Sequence, residues 1–196
     1  MKLYDAAQSG NAFKVRILLS LLNVTYEKVP VDFGTSEHKQ PAFLKISPRG
    51  QVPAIVDDGK AIWDSSACLV YVARKYRGEL WLPTAAIELA EVMQWVALAG
   101  NEIQFGLQYA RREARRAPGS AEMLKHYRTT GLVALNALEQ QLTSAEWLAL
   151  GRPTIADVAC FPYVNSAPEG GISLTPYPGI VAWLVRCKSL PGWPAS

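Results

Sequence analysis

The stretch Ser47-Pro48-Arg49-Gly50-Gln51-Val52-Pro53-Ala54-Ile55-Val56 sets several boundaries in a short span. Proline cannot donate to a strand ladder, so Pro53 marks a turn or the first residue of a strand. A Val-Pro bond leading into an apolar run is a candidate cis peptide. Asp57-Asp58-Gly59 reads as a hairpin turn, because Gly59 tolerates a positive φ, and Lys60 to Trp63 as the returning strand. Asp64, Ser65 and Ser66 precede an apolar helical run and are good N-cap residues. A bend, a hairpin and a helix start therefore converge on one sheet edge. Such an edge suits a small peptide-like anion. The backbone of Val52 can pair with an extended peptide as an added strand. The helix start offers N–H groups and a positive dipole end to a carboxylate, and Asp64 can pair with an amino group. The plain alternative is an ordinary edge hairpin followed by a capped helix.

Around this stretch the first 77 residues alternate strand and helix patterns. Lys2 to Asp5 is a short strand, Asn11 to Leu22 a helix with Lys14, Arg16 and Ser20 on its polar face, and Tyr26 to Val31 a second strand. A loop from Phe33 to Ser47 carries His38, Lys39 and one helical turn. Ser65 to Tyr76 is a buried helix. The order β-α-β, then β-β-α, predicts a sheet of about four strands whose first two are parallel with a right-handed crossover. Leu80 to Pro83 reads as a linker, and no strand pattern follows it. Helices are expected from Thr84 past Gly100, from Ala121 to Leu142, behind Thr154-Ile155-Ala156-Asp157, and from Pro178 to Ser189. Thr154 and Asp157 form a capping-box pattern ahead of an apolar, central helix. Residues 1–77 are thus expected to be an α/β domain and 84–196 an all-α domain.

Composition narrows the function classes. The net charge of +3 is too small to argue for a nucleic-acid or membrane surface. Cys68, Cys160 and Cys187 are widely spaced within apolar helical patterns, which reads as three buried small hydrophobes rather than a disulfide framework or a metal site. Met1-Lys2-Leu3-Tyr4-Asp5 lacks the apolar core of a signal peptide, and the reading is a soluble cytoplasmic protein. Ser9 and Asn11 stand where a loop enters a helix and serve as caps on the local pattern alone. His38 alone reads as a solvated loop residue. Arg111, Arg112, Arg115 and Arg116 read either as a solvated helix tail or as an attraction for anions.

In this order the features resemble the glutathione transferase family over essentially the whole chain. The most specific parts are the Val52-Pro53 bend, Asp64-Ser65 before a buried helix, and Thr154-Ile155-Ala156-Asp157-Val158-Ala159. The resemblance implies a thioredoxin-like first domain, a helical-bundle second domain and a homodimer. It implies glutathione as co-substrate, a hydrophobic electrophile as second substrate, and no metal. Carried over by position, Val52 before Pro53 pairs with the cysteinyl backbone, Asp64 and Ser65 hold the γ-glutamyl end, and Gln51 and His38 approach the glycyl end. Tyr4 lies within the first strand and is set aside. No cysteine precedes Cys68, unlike members that form a mixed disulfide. Ser9 is the expected thiolate stabiliser and Asn11 its helper, at the spacing of a hydroxyl residue and an asparagine in nu-like bacterial members. Gln104, Phe105 and Gln108 are the expected electrophile contacts. The implied reaction is attack of the glutathione thiolate on an electrophilic carbon, as in detoxification. The alternatives are a glutathione-dependent peroxidase or disulfide reductase at the same site, and a non-catalytic binding protein of the same fold.

Overall fold

The computed structural model describes residues 1–194 and divides into two compact units, Met1–Trp81 together with the stretch from Pro191, and Leu82–Leu190. The first unit holds β1 (Lys2–Asp5), α1 (Gly10–Leu21), β2 (Glu27–Pro30), α2 (Pro41–Leu44), β3 (Ala54–Asp57), β4 (Lys60–Trp63) and α3 (Ser65–Tyr76). The sheet order is β2-β1-β3-β4. β1 and β2 are parallel, and β1–β3 and β3–β4 are antiparallel. This is the four-stranded sheet with a parallel first pair expected from the β-α-β, β-β-α order, and it is the thioredoxin-like arrangement that the resemblance implies. The hairpin turn carries positive φ at both Asp58 and Gly59, the geometry whose twist matches that of paired strands.

Buried groups fasten this frame to the helices. Asp5 is fully buried and pairs with Arg16 of α1 at 2.5 Å and Lys28 of β2 at 3.1 Å. Asp57 closes the hairpin onto α3 by accepting from Lys75 at 2.5 Å and Tyr71 at 2.8 Å. Those two donors hold its carboxyl below the usual carboxylate range. Tyr4 packs its ring edge-on to Phe43, beside a cluster of Ala12, Val31, Phe43 and Val52. Lys14, placed on the polar face by pattern, is buried. The pattern places Pro191 to Pro194 in the helical domain; they group instead with the first unit, where Ser20 Oγ donates to the Gly192 carbonyl at 2.7 Å.

The second unit is helical: α4 (Ala86–Gly100), a π-helical turn (Ile103–Gln108), α5 (Tyr109–Ala114), α6 (Ala121–Leu142), α7 (Ile155–Asn165), a 3₁₀ turn (Ala167–Gly170) and α8 (Pro178–Lys188). The long helix expected from Thr84 is interrupted after Gly100. A Cβ on Gly106 would lie 2.3 Å from the Gly131 backbone nitrogen of α6. The backbones are that close, and the chain takes a wider π turn to bring Gly106 there. Thr154 and Asp157 form the expected capping box on α7. Asp157 also accepts from Leu148 N–H at 3.2 Å and Trp183 Nε1 at 2.9 Å, so one carboxylate joins the connector, α7 and α8. Burial pushes its pKa up to about 6. Cys68, Cys160 and Cys187 are buried and unbridged, and burial pushes the Cys68 thiol up to about 12.

Candidate functional site

A narrow cleft in the first unit brings together Asn11, Gln51, Val52, Pro53, Asp64 and Ser65. Its floor is the Val52–Pro53 bend, which is cis. The β3 ladder begins at Ala54, so the N–H and C=O of Val52 lie outside it. The Val52 side chain is anchored in the cluster with Ala12, Val31 and Phe43, which fixes where its backbone stands.

The approach to the bend is built from small residues. Ser47 is buried; its hydroxyl donates to the Gln51 carbonyl at 2.8 Å and accepts from the Gln51 N–H at 3.3 Å. Gly50 has φ +59°, and a Cβ there would meet the His38 carbonyl at 2.6 Å. Only glycine satisfies both demands. His38 therefore contributes its backbone to the cleft's support. Its ring packs edge-on against Phe33 with centroids 4.6 Å apart, and it is not among the residues that line the cleft.

The opposite wall is the start of α3. Asp64 is its N-cap, accepting from Ser66 N–H at 2.9 Å, with φ 77° and ψ 134°. An aspartate held at that φ stores on the order of 1–3 kcal/mol of backbone strain. Its second oxygen meets Arg49 at 3.3 Å. Ser65 is buried and its hydroxyl donates to Asn11 Oδ1 at 3.5 Å. That contact ties the first turn of α1 to the first turn of α3. Ser9 behaves differently. It is the N-cap of α1 and accepts from Ala12 N–H at 3.2 Å, and it does not line the cleft.

Pattern reading did not single out Ser47 or Arg49 as supports. The Ser-Pro-x-Gly spacing was a usable signal for a tight turn, but nothing local pairs Arg49 with a residue fifteen positions on. Among the electrophile candidates, Gln104 Nε2 donates to Gln108 Oε1 at 3.2 Å on the π turn, and exposed Phe105 lies edge-on to Tyr109 with centroids 5.3 Å apart. Among the described residues no group of three or more His, Cys, Asp or Glu could hold a metal ion, and no helix is long and apolar enough to cross a membrane.

The chain is similar to known proteins over most of its length. A model of the glutathione S-transferase N-terminal domain matches residues 1–74, and one of the C-terminal domain residues 98–191. The disulfide-bond oxidoreductase YfcG of Escherichia coli is 30% identical over 195 residues, covering 94% of this chain and 89% of that protein. The chain belongs to the glutathione transferase family. Among solved structures, a glutathione S-transferase from Pseudomonas fluorescens superposes with a TM-score of 0.93 at 31% identity, covering 99% of this chain and 97% of its own. One from Xanthobacter autotrophicus gives 0.90 at 32%, covering 97% and 94%. A maleylacetoacetate isomerase of Pseudomonas aeruginosa is 30% identical over 188 residues, 92% of this chain and 87% of that protein. The family thus spans transfer, isomerisation and disulfide chemistry on one frame, and the reaction of this member rests on its own site.

Proposed function

We propose that this transferase-family chain binds glutathione in the cleft of its first unit, ionises its thiol and delivers the thiolate to an electrophilic carbon of a small apolar molecule. The observation that carries the reading is the meeting of Asn11, Val52, Asp64 and Ser65 in one cleft. The Val52 backbone pairs with the cysteinyl unit, Asp64 and Ser65 take the γ-glutamyl end, and Gln51 faces the glycyl end. In this reading His38 supports the cleft through its backbone carbonyl rather than by a ring contact.

A glutathione thiol has an ordinary pKa of about 8.5, so only a few per cent is ionised at neutral pH. Lowering it by about two pH units takes roughly 2.7 kcal/mol. The Asn11 amide is the first source, because Asn11 lines the cleft and an amide N–H can donate to a thiolate. The Ser9 hydroxyl and the N–H groups of the first α1 turn add to it. We therefore assign Asn11 the leading share and Ser9 the lesser one, reversing the weights that sequence position suggested. The thiol proton leaves to water on binding. The sulfur lone pair then forms the S–C bond as the leaving group departs with its electron pair. Gln104, Phe105 and Gln108 are our proposed electrophile contacts. A cytoplasmic homodimer acting in detoxification fits this reading.

A second reading, glutathione-dependent disulfide reduction, is supported by the likeness to the disulfide-bond oxidoreductase YfcG. Cys68 is buried with its thiol pushed up to about 12, so disulfide reduction at this site would use two glutathione molecules and no protein thiol. The test is a panel of aryl halides, epoxides, a hydroperoxide and a glutathione-reducible disulfide, followed by mass spectrometry of the products. A thioether conjugate supports transfer. Oxidised glutathione together with the reduced substrate, and no conjugate, moves the assignment to the second reading, and binding without any product moves it to a binding protein.

A further inference from the structure

Arg49 lines the cleft beside Asp64 and Ser65. Its place is set by the backbone. Gly50 N–H donates to the Ser47 carbonyl at 2.8 Å, which closes a four-residue turn with Arg49 in the third position. The turn is held from two sides. The buried Ser47 hydroxyl is bonded to both the N–H and the carbonyl of Gln51, and the His38 carbonyl fills the space beside Gly50. The guanidinium leaves this turn and meets Asp64, Nη1 to Oδ2, at 3.3 Å.

The two oxygens of Asp64 have separate duties. Oδ1 accepts from Ser66 N–H at 2.9 Å and caps α3, while Oδ2 is turned to Arg49. The side chains of Arg49 and Asp64 are 55% and 40% exposed, so solvent reaches the pair and it adds little to folding stability. A guanidinium carries five N–H donors, and the bond to Asp64 is the one it makes among the described residues. The cleft wall thus presents an anion and a cation side by side, each with bonding capacity left over.

Resting on the glutathione reading of the cleft, we infer that Arg49 binds the α-carboxylate of the γ-glutamyl head while Asp64 binds its α-ammonium, so that the pair selects an α-amino acid zwitterion. Both ligand charges sit on one carbon, so they match two side-chain charges that already touch. A lone ammonium has to draw Asp64 away from Arg49, and a lone carboxylate has to draw Arg49 away from Asp64. The zwitterion leaves every charge of the four beside an opposite one. Without Arg49 the wall carries the Asp64 charge alone and repels the carboxylate it has to admit. A planar guanidinium suits that carboxylate better than a lysine ammonium does, because two parallel N–H donors meet two oxygens.

The test compares glutathione with two peptides that each lack one charge: 4-aminobutanoyl-cysteinyl-glycine, without the α-carboxylate, and glutaryl-cysteinyl-glycine, without the α-ammonium. Dissociation constants are measured calorimetrically for the parent, Arg49→Gln and Arg49→Lys, with thermal melts as the check on folding. The parent should bind glutathione about 10-fold more tightly than either peptide, the size of a lost charged hydrogen bond. Arg49→Gln should weaken glutathione by about the same 10-fold. It should not weaken 4-aminobutanoyl-cysteinyl-glycine, which has no α-carboxylate to lose, and Arg49→Lys should recover part of the glutathione affinity. The inference is overturned if the parent binds 4-aminobutanoyl-cysteinyl-glycine as tightly as glutathione, a result that needs no variant. It is also overturned if Arg49→Gln weakens both of these ligands equally, or neither. A parent that binds none of the three ligands overturns the glutathione reading itself, and this assignment with it.

Discussion

Replacing Asp64 by glycine should separate ligand recognition from folding. Asp64 carries three loads at once: a φ of 77°, the N-cap of α3, and the contact with Arg49. Glycine adopts that φ freely, which returns about 1–3 kcal/mol of strain. Losing the cap to glycine costs a few tenths of a kcal/mol, and an exposed ion pair such as Arg49–Asp64 contributes about 0–1 kcal/mol. The balance predicts that Asp64→Gly is as stable as the parent or up to about 2 kcal/mol more stable. Glutathione affinity should nevertheless fall by about 2–3 kcal/mol, roughly 30- to 150-fold, through loss of the charged contact to its amino group. Asp64→Asn keeps the cap and the strain and removes only the charge, so it should match the parent's stability within about 1 kcal/mol and lose a similar share of affinity. Urea midpoints and calorimetric dissociation constants measured on the same preparations decide the matter. A glycine variant that is destabilised by more than about 1 kcal/mol and still binds glutathione as the parent does would refute both halves of the reasoning.

Three further outcomes follow from particular contacts. The folded-state pKa of Asp157 is raised to about 6 from an ordinary value of 3.8, so between those values the native state holds more protons and stability falls as pH rises. Asp157→Asn should flatten that fall, worth at most about 3 kcal/mol, and urea midpoints from pH 4 to 7 that run parallel for both proteins would contradict it. Gly106→Ala forces apart two backbones whose approach leaves 2.3 Å for the new atom. A loss of about 3 kcal/mol is expected in the urea midpoint, and an unchanged midpoint would mean the π turn is not set by that approach. The three cysteines are buried, so a thiol reagent at pH 8 should label none in the native protein and three in urea; rapid native labelling would show an accessible thiol.

Much of the fold was legible because local signals agreed with the packing. Pro53 stands one residue ahead of β3, the Asp-Gly turn joins β3 to β4, and the Thr154–Asp157 spacing marks α7, each a cap or turn whose chemistry is confined to a few residues. The interruption after Gly100 was not legible. Gly106 sits in a run that is helical by pattern, and the cause of the π turn is a glycine twenty-five positions on in α6. The placement of the Pro191 stretch depends on a serine in α1, again a long-range contact. Of the candidate site, Val52, Pro53, Gln51, Asp64, Ser65 and Asn11 meet in one cleft. Ser9 and His38 are not among the residues that line it; Ser9 caps α1 and the His38 ring packs on Phe33. Neither the cap hydrogen bond nor the Phe33 contact can be weighed against a binding role from residue types alone. Asp157 was read as a cap, and its bond to Trp183 makes it a three-way junction as well.

The central claim is that Asn11, seated by Ser65, lowers the pKa of bound glutathione. The direct measurement is the ultraviolet absorbance of the thiolate of bound glutathione as a function of pH, for the parent, Asn11→Ala, Ser9→Ala and the double variant, each at saturating glutathione. The account predicts a parent midpoint near pH 6.5, about two below the free thiol. It predicts a rise of about one pH unit or more for Asn11→Ala, a smaller rise for Ser9→Ala, and a larger one for the pair. Four superimposable titrations at the free-thiol midpoint, with binding intact, would contradict it and leave the cleft as a place that holds glutathione without activating it.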